Sequence, residues 1–589
     1  MALGFWSRAQ QSPDWIAAVE ADGTEHRAGD VLARVNQITH ALRALGLRAG
    51  DGIASVLPNG AGALEVYLAA LQAGWYLTPV NWHFTAPEIA YILRDCEAKA
   101  VFVHERFGAV GAAAADEAGI ASRARFGYGD VPGFTPVEAM RAGQPETLPA
   151  ERTAGATMHY TSGTTGRPKG VRRALTGLAP DEAAELGTAL QQFFGITAGQ
   201  PNAHLVSSPN YHTAVTVFGG SALHMGHTLV YMDGWDAEQA LAKVERYRVT
   251  NTHMVPTHFK RMLSLPEPTR ERYDVSSMKW LIHAAAPCPV GIKRAMIDWW
   301  GPCVYEYYAA TEGGGTIVTP QDWLARPGTV GTPWPISEVM IADEAGSECP
   351  RGTPGTVYMK MTLSDFAYKD DPEKTAANRL RGFFTVGDIG YLDDDGYLFL
   401  CDRKSDMIIS GGANIYPAEI EAEIIMHPKV ADVAVFGIPD EDWGEQIKAV
   451  VQPADGVAAS DELAAEILAS LDGRLARMKW PRSIDFADEL PRDPSGKLLK
   501  RRLRAPYWEG RATAIKSRNV TPCTRPGRYR AHPASSATRP GPQPACQVGR
   551  RASKRVVGTP HGLLPVQGHH DPAAGLASPA SRNRVVGTA

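Results

Sequence analysis

Over roughly its first 400 residues the chain alternates apolar strand-like runs with helix-like segments, and this alternation constrains the fold more than any other feature. AKAVFVHE at 98–105, HLVSSP at 204–209 and KWLIHAAAP at 279–287 read as strands. Strands separated by helical patterns predict an α/β architecture with largely parallel sheets. Near Cys401 the texture changes. PAEIEAEIIMHP at 417–428 carries a helix signal, VADVAVFGIP at 430–439 a strand signal and SDELAAEILASLDGRL at 460–475 a second helix signal. That order predicts a small α+β domain. A chain of 589 residues is too long for one compact core. The expected division is a large N-terminal domain over 1–402, a small C-terminal domain over 403–509 and a tail over 510–589.

The tail has neither periodicity. It is rich in Pro, Arg, Ala, Gly and Ser, and repeats RVVGT at 555–559 and 584–588. Such a composition buries too little apolar surface to offset ordering entropy, so a disordered basic tail is expected, either a natural extension or a reading-frame artefact. From Ala512 onward there are twelve Lys or Arg against one acid, Asp571, whereas 48 basic and 63 acidic residues precede it. An acidic body argues against a nucleic-acid enzyme. The basic tail is compatible with peripheral contact to an anionic membrane.

No run approaches the ~18 apolar residues of a membrane span, and the N-terminus MALGFWSRAQQSPDW has no secretory pattern. Seven cysteines are scattered without a CxxC pair or metal spacing. Free thiols in a reducing cytoplasm are therefore expected. Nothing in the sequence bears on oligomeric state.

The strongest chemical signal is Tyr160-Thr161-Ser162-Gly163-Thr164-Thr165-Gly166-Arg167-Pro168-Lys169-Gly170. Its glycines let backbone amides approach a polyanion, its four hydroxyls can donate to phosphate oxygens, and Lys169 supplies charge. Any five of these residues would read as a surface loop; the whole string does not. Nor is it a Walker loop, since proline precedes the lysine and glycine follows it.

The string resembles the phosphate-binding signature of the adenylate-forming superfamily, which includes acyl-CoA synthetases, peptide-synthetase adenylation domains and firefly luciferase. The resemblance runs from near residue 10 to near residue 508 and implies layered sheets and helices followed by a small mobile C-terminal domain. It assigns Thr161, Ser162, Gly163, Thr164, Thr165, Gly166 and Lys169 to the nucleotide phosphates. Tyr307-Tyr308-Ala309-Ala310-Thr311-Glu312 resembles the family's aromatic-Gly-x-Thr-Glu stretch. By that match Tyr308 stacks on adenine, Thr311 touches the α-phosphate, and Glu312, with Thr161, holds Mg²⁺. Ala309 stands where the family has glycine, and its methyl would reshape the acyl entrance. Ala285 and Ala286, in Ala284-Ala285-Ala286-Pro287, match the adenine-pocket loop. His212, in Pro209-Asn210-Tyr211-His212-Thr213-Ala214, matches the aromatic position near the acyl carboxylate.

Asp388, in Phe384-Thr385-Val386-Gly387-Asp388, matches the aspartate that accepts from both ribose hydroxyls, as a carboxylate can. Arg403 follows at the expected distance and is assigned to ribose or phosphate. The hinge falls on Ser405, where the family has Asp or Lys. Lys497, in Leu490-Pro491-Arg492-Asp493-Pro494-Ser495-Gly496-Lys497-Leu498, resembles the catalytic lysine that bridges carboxylate and α-phosphate. Gly411 and Gly412, in Ser410-Gly411-Gly412-Ala413-Asn414, leave room for a pantetheine arm.

The implied activity is an acyl-CoA synthetase using ATP, Mg²⁺ and coenzyme A, with no covalent protein nucleophile. Val215, Phe218 and Gly219, with apolar groups near Thr257 and Ala309, predict a hydrophobic acid, a medium- or long-chain fatty acid ahead of aromatic or steroid-side-chain acids. A peptide-synthetase domain is disfavoured because no carrier-domain phosphopantetheine site follows. A fatty-acyl-AMP ligase that loads a carrier protein and a nucleotide-binding pseudoenzyme are the alternatives.

Overall fold

The structure, a computed structural model, describes residues 3–161, 168–199, 201–310, 312–362, 366–368, 372–492 and 498–509. It is an α/β protein with a large N-terminal domain of layered sheets and helices and a smaller C-terminal domain.

The first sheet carries Gly52–Val56, Tyr76–Pro79, Ala98–His104, Arg125–Tyr128, Thr135–Pro136 and Ala156–Thr157, all parallel. Gly52–Val56 is buried at every residue, as a strand covered on both faces should be. The helices Ala28–Ala44, Ala61–Ala73 and Ala86–Asp95 contribute apolar residues to the same core. Ala86–Asp95 starts where it does because Thr85 and Glu88 form a capping box, the Thr85 amide donating to Glu88 Oε2 at 2.8 Å.

The second sheet positions the site. Its parallel part runs through Ile16–Val19, Thr228–Tyr231, Ala203–Val206, Asn251–Met254, Trp280–His283 and Val304–Ala309. Here the alternation of strand and helix in the sequence is realised as expected. Beyond Ala309 it is not. Gly315–Val318 and Thr329–Pro333 continue the sheet antiparallel, followed by Leu398–Arg403, Asp388–Leu392 and Gly355–Met361. The cause is connection length. Five residues link Val304–Ala309 to Gly315–Val318, too few for the crossover helix that a parallel neighbour requires. Gly315 itself is dictated by close approach, since a Cβ there would lie 2.2 Å from the Tyr308 carbonyl oxygen.

The C-terminal sheet contains Ile408–Ser410, Ala413–Ile415, Val430–Asp440, Gly444–Pro453 and Ser483–Phe486. Its helices are Pro417–Ile424 and Asp461–Ala469. The Ser460 hydroxyl caps the second, accepting from the Leu463 amide at 3.2 Å. That helix ends before its sequence pattern does, with Gly473 left-handed at φ 71°. Ile420, Ile424, Val435, Ile447 and Ile467 bury their side chains in this layer, each contributing about 1.5–3 kcal/mol. Lys260 Nζ donates to the Ile425 carbonyl at 3.2 Å and the Ala418 amide to Asp402 Oδ2 at 2.8 Å, tying the small domain to the large one. Among the described residues no helix is long and apolar enough to cross a membrane.

Candidate active site

The parallel strands of the second sheet end along one edge, where open α/β sheets bind ligands. A continuous cleft of about 3310 Å³ lies there, and residues of the small domain close its other side.

Three residues far apart in sequence meet in one corner. Tyr308 stands near the end of Val304–Ala309, and its phenol donates to Asp388 Oδ2 at 2.6 Å. Arg403 Nε lies 3.4 Å from Asp388 Oδ1, the two being opposite one another in antiparallel strands. Burial, followed by the neighbouring Asp388 carboxylate, pushes the Tyr308 phenol well above its ordinary value, so it stays a proton donor. The corner thus presents an aromatic face, a bidentate acceptor and a guanidinium, groups suited to a base, a ribose diol and a phosphate.

Ala285 and Ala286 follow Trp280–His283 and line the cleft. Ala285 is left-handed at φ 75°, a conformation that costs an alanine about 1–2 kcal/mol and a glycine almost nothing.

Glu312 is buried, and the Tyr368 phenol donates to its Oε1 at 2.6 Å. Arg173 lies close enough that the Glu312 charge partly offsets the lowering of its pKa by burial. Neither Tyr368 nor Arg173 was marked by the sequence motifs, although the Arg172-Arg173 pair, one residue beyond the phosphate string, was a charge signal for Arg173. One carboxylate suits Mg²⁺ in a nucleotide site, because phosphate and water oxygens complete the octahedron. The hard Glu312 oxygen facing the cleft fits that role.

The phosphate string is held at both ends. Lys169 lies opposite Thr161, and Gly170 opposite Tyr160, in an antiparallel pair. The Tyr160 phenol donates to Asp95 Oδ2 at 2.5 Å, and the Tyr91 phenol to the Pro168 carbonyl at 3.2 Å. Ser162, Gly163, Thr164, Thr165, Gly166, Thr311 and Lys497 lie outside the described residues, as does the tail from 510.

His212 precedes the helix Thr213–His224 and lines the cleft, its ring 4.4 Å from that of Tyr211. The turn before it is fixed by Asn210, whose amide donates to Asn59 Oδ1 at 2.8 Å. The chain on either side of Lys497 is likewise anchored. Arg492 meets Asp432 through two contacts of 2.6 Å, and the Leu499 amide donates to the Pro491 carbonyl at 2.8 Å. Lys500 Nζ lies 2.8 Å from Glu421 Oε1. Leu498, Leu499 and Lys500 all face the cleft.

Gly411 and Gly412 are not brought to the site. Among the described residues that line the cleft neither appears, and Trp443 covers Gly411 so closely that a Cβ there would sit 2.5 Å from its ring. Ser405 is exposed beside the cleft, between Lys404 and Asp406, which do line it, and its carbonyl accepts from Arg504 at 3.4 Å.

Residues 5–363 match the profile of the AMP-binding enzyme family, and residues 419–497 match the AMP-binding enzyme C-terminal domain. The chain belongs to the AMP-binding enzyme family. Within it, a feruloyl-CoA synthase from an Amycolatopsis species is 34% identical over 85% of this chain and 98% of its own. A long-chain-fatty-acid–CoA ligase from Mycobacterium tuberculosis is 33% identical over 85% and 97%. The crystal structure of ATP-bound MatB from Rhodopseudomonas palustris superposes with a TM-score of 0.72 at 31% identity, covering 86% of this chain and 99% of that one. This AMP-binding enzyme is thus an adenylate-forming acid-thiol ligase, with ATP, Mg²⁺ and coenzyme A as its co-substrates and ion.

Proposed function

We propose that the enzyme converts a carboxylic acid with a hydrophobic body into its CoA thioester through an acyl-AMP. The observation that carries this reading is the convergence of Tyr308, Asp388, Arg403 and Glu312 on the cleft that His212 and the chain flanking Lys497 also face.

In the first half-reaction an acid carboxylate oxygen attacks the α-phosphorus of ATP, forming the acyl phosphate bond as the bond to pyrophosphate breaks. The aromatic face of Tyr308 holds the base, Asp388 accepts from the ribose diol, and Arg403 neutralises phosphate charge. Residues 161–166 and Lys169 cradle the phosphates, with Thr311 at the α-phosphate. Mg²⁺, held by Glu312 with Thr161, supplies charge neutralisation when bound. Lys497 bridges the two anions as they approach, so positioning and electrostatics carry the rate.

In the second half-reaction the thiolate of coenzyme A attacks the acyl carbon and AMP leaves. Because Gly411 and Gly412 lie away from the cleft and Leu498–Lys500 face it, the present arrangement suits adenylation. Thioester formation then requires the small domain, which we place at 403–509, to turn about Ser405 and bring the two glycines to the pantetheine arm. The cytoplasmic address expected from the cysteines belongs to the same reading.

The sequence pointed first to a medium- or long-chain fatty acid, and the apolar Val215 and Phe218 beside the site are compatible with one. Phe218 and Tyr307, which both line the cleft with ring centroids 5.6 Å apart, favour a flat aromatic acid. Pyrophosphate release with ATP, Mg²⁺ and a panel of acids, with and without coenzyme A, tests the function. Acid-dependent release with CoA-dependent thioester and AMP formation is expected. A retained acyl-AMP that coenzyme A does not discharge would instead indicate a carrier-protein acceptor, and no release with any acid a pseudoenzyme.

A further inference from the structure

His253 stands on the strand Asn251–Met254 and lines the same cleft as His212 and Ala309. It is 4% exposed, with the Phe218 ring stacked on it at 5.1 Å. Its Nε2 lies 3.1 Å from the Tyr307 phenol oxygen. Its Nδ1 has no hydrogen-bond partner among the described residues, and neither has Nε1 of Trp334, which is 7% exposed and lines the same cleft. Trp334 shares one apolar cluster with Phe218 and Tyr307.

Buried polar atoms in native proteins are almost always paired, and leaving one unpaired is costly. Both nitrogens are already closed off from water, and an alkyl chain filling this part of the cleft would leave them with nothing to bond. A substrate bearing oxygen would not. Burial holds the His253 imidazole neutral, its pKa pushed down to about 3, so the ring has one N–H and one acceptor nitrogen. If the Tyr307 hydroxyl donates to Nε2, Nδ1–H is a donor and the phenol oxygen still accepts. If Nε2–H donates to Tyr307 instead, Nδ1 accepts and the phenol O–H donates. In either tautomer the pair offers one donor and one acceptor, the complement of a hydroxyl group. The rings of Phe218 and Tyr307, which line this part of the cleft, favour a flat aryl body.

We infer that His253 and Tyr307 form a hydrogen-bonding station in the acyl pocket that selects an aromatic carboxylic acid carrying a ring hydroxyl. The inference rests on the adenylating function proposed above and adds its substrate class. A site built to bond a hydroxyl rejects analogues that lack it far more strongly than an apolar pocket rejects a misfit.

The test is acid-dependent ATP–pyrophosphate exchange by the full chain with the 2-, 3- and 4-hydroxycinnamic acids, their methyl isosteres, cinnamic acid and dodecanoic acid. One hydroxylated isomer is expected to exceed its methyl isostere by about 10- to 100-fold in kcat/KM. His253→Leu and, separately, Tyr307→Phe should each bring that ratio to within about 3-fold of unity. Tyr307→Phe removes a single oxygen, and the wild-type ratio needs no variant. Exchange in which dodecanoate or the methyl isosteres match every hydroxylated acid overturns the station while leaving the synthetase intact. A preference that both variants retain also overturns it. Exchange with no acid overturns the synthetase reading, and this inference with it.

Discussion

The phenol of Tyr308 donates to Asp388 Oδ2 at 2.6 Å across 80 residues of chain. One contact therefore joins the residue proposed to face the base with the residue proposed to hold the ribose. Arg403 occupies the other carboxylate oxygen, Oδ1, at 3.4 Å, so the acceptor is oriented before any nucleotide arrives.

Tyr308→Phe keeps the ring and loses only this hydrogen bond. The expected effect is a roughly 5- to 30-fold rise in KM for ATP with little change in kcat, since a charge-assisted bond of this kind contributes about 1–2 kcal/mol. Steady-state kinetics with saturating acid checks it. An unchanged KM would mean that the bond does not orient Asp388.

Lys497→Ala should nearly abolish adenylation yet spare thioester formation from supplied acyl-AMP, because charge bridging is needed only while two anions approach. Separate assays of the two half-reactions decide this. Equal loss of both would remove Lys497 from its proposed role.

Ala285 holds φ 75° in a loop where glycine would be unstrained. Ala285→Gly releases that strain at the cost of a more flexible unfolded chain. The net expectation is a gain of up to about 1 kcal/mol, read as a higher urea midpoint. A lower midpoint would show that the alanine methyl packs favourably enough to repay its backbone.

Burial depresses several histidines: His159, His204, His224 and His227 to about 4 and His253 to about 3. In the unfolded chain each titrates near 6.5. Between those values the unfolded state binds protons that the folded state refuses, so stability is full above about pH 6.5 and falls as pH drops towards 4. Each such histidine contributes about 1.4 kcal/mol per pH unit in that window. Urea midpoints at pH 7.5 and 5.5 should differ clearly, the acidic one lower. Equal midpoints would contradict neutral burial.

Much of the site was legible because its residues sit in contiguous motifs. Tyr308, Asp388 and Arg403 were each named by a short string, and the structure brings them into one corner. What escaped was made by tertiary pairing. Tyr368 reaches Glu312 from 56 residues away, and His253 reaches Tyr307 from 54, with no local pattern to announce either. The parallel half of the main sheet followed from strand–helix alternation, whereas the antiparallel half depended on connections too short for a crossover helix, as at 310–314. Gly411 and Gly412 were read as facing the acceptor once the small domain has turned; among the described residues neither lines the cleft, and Gly411 packs against Trp443 of its own domain, a contact no local pattern announces.

Deleting residues 510–589 should leave both half-reactions within about 2-fold of the full chain, since the tail has no composition able to form a packed site. A truncated chain that folds but is inactive would refute that view.

The most direct test of the central claim is a single-turnover experiment with excess enzyme, α-labelled ATP, Mg²⁺ and an acid that supports pyrophosphate exchange, first without coenzyme A. The account predicts that labelled acyl-AMP accumulates on the enzyme and is converted to free AMP and acyl-CoA when coenzyme A is added. Label that appears as ADP, or as AMP formed equally without acid, would contradict it.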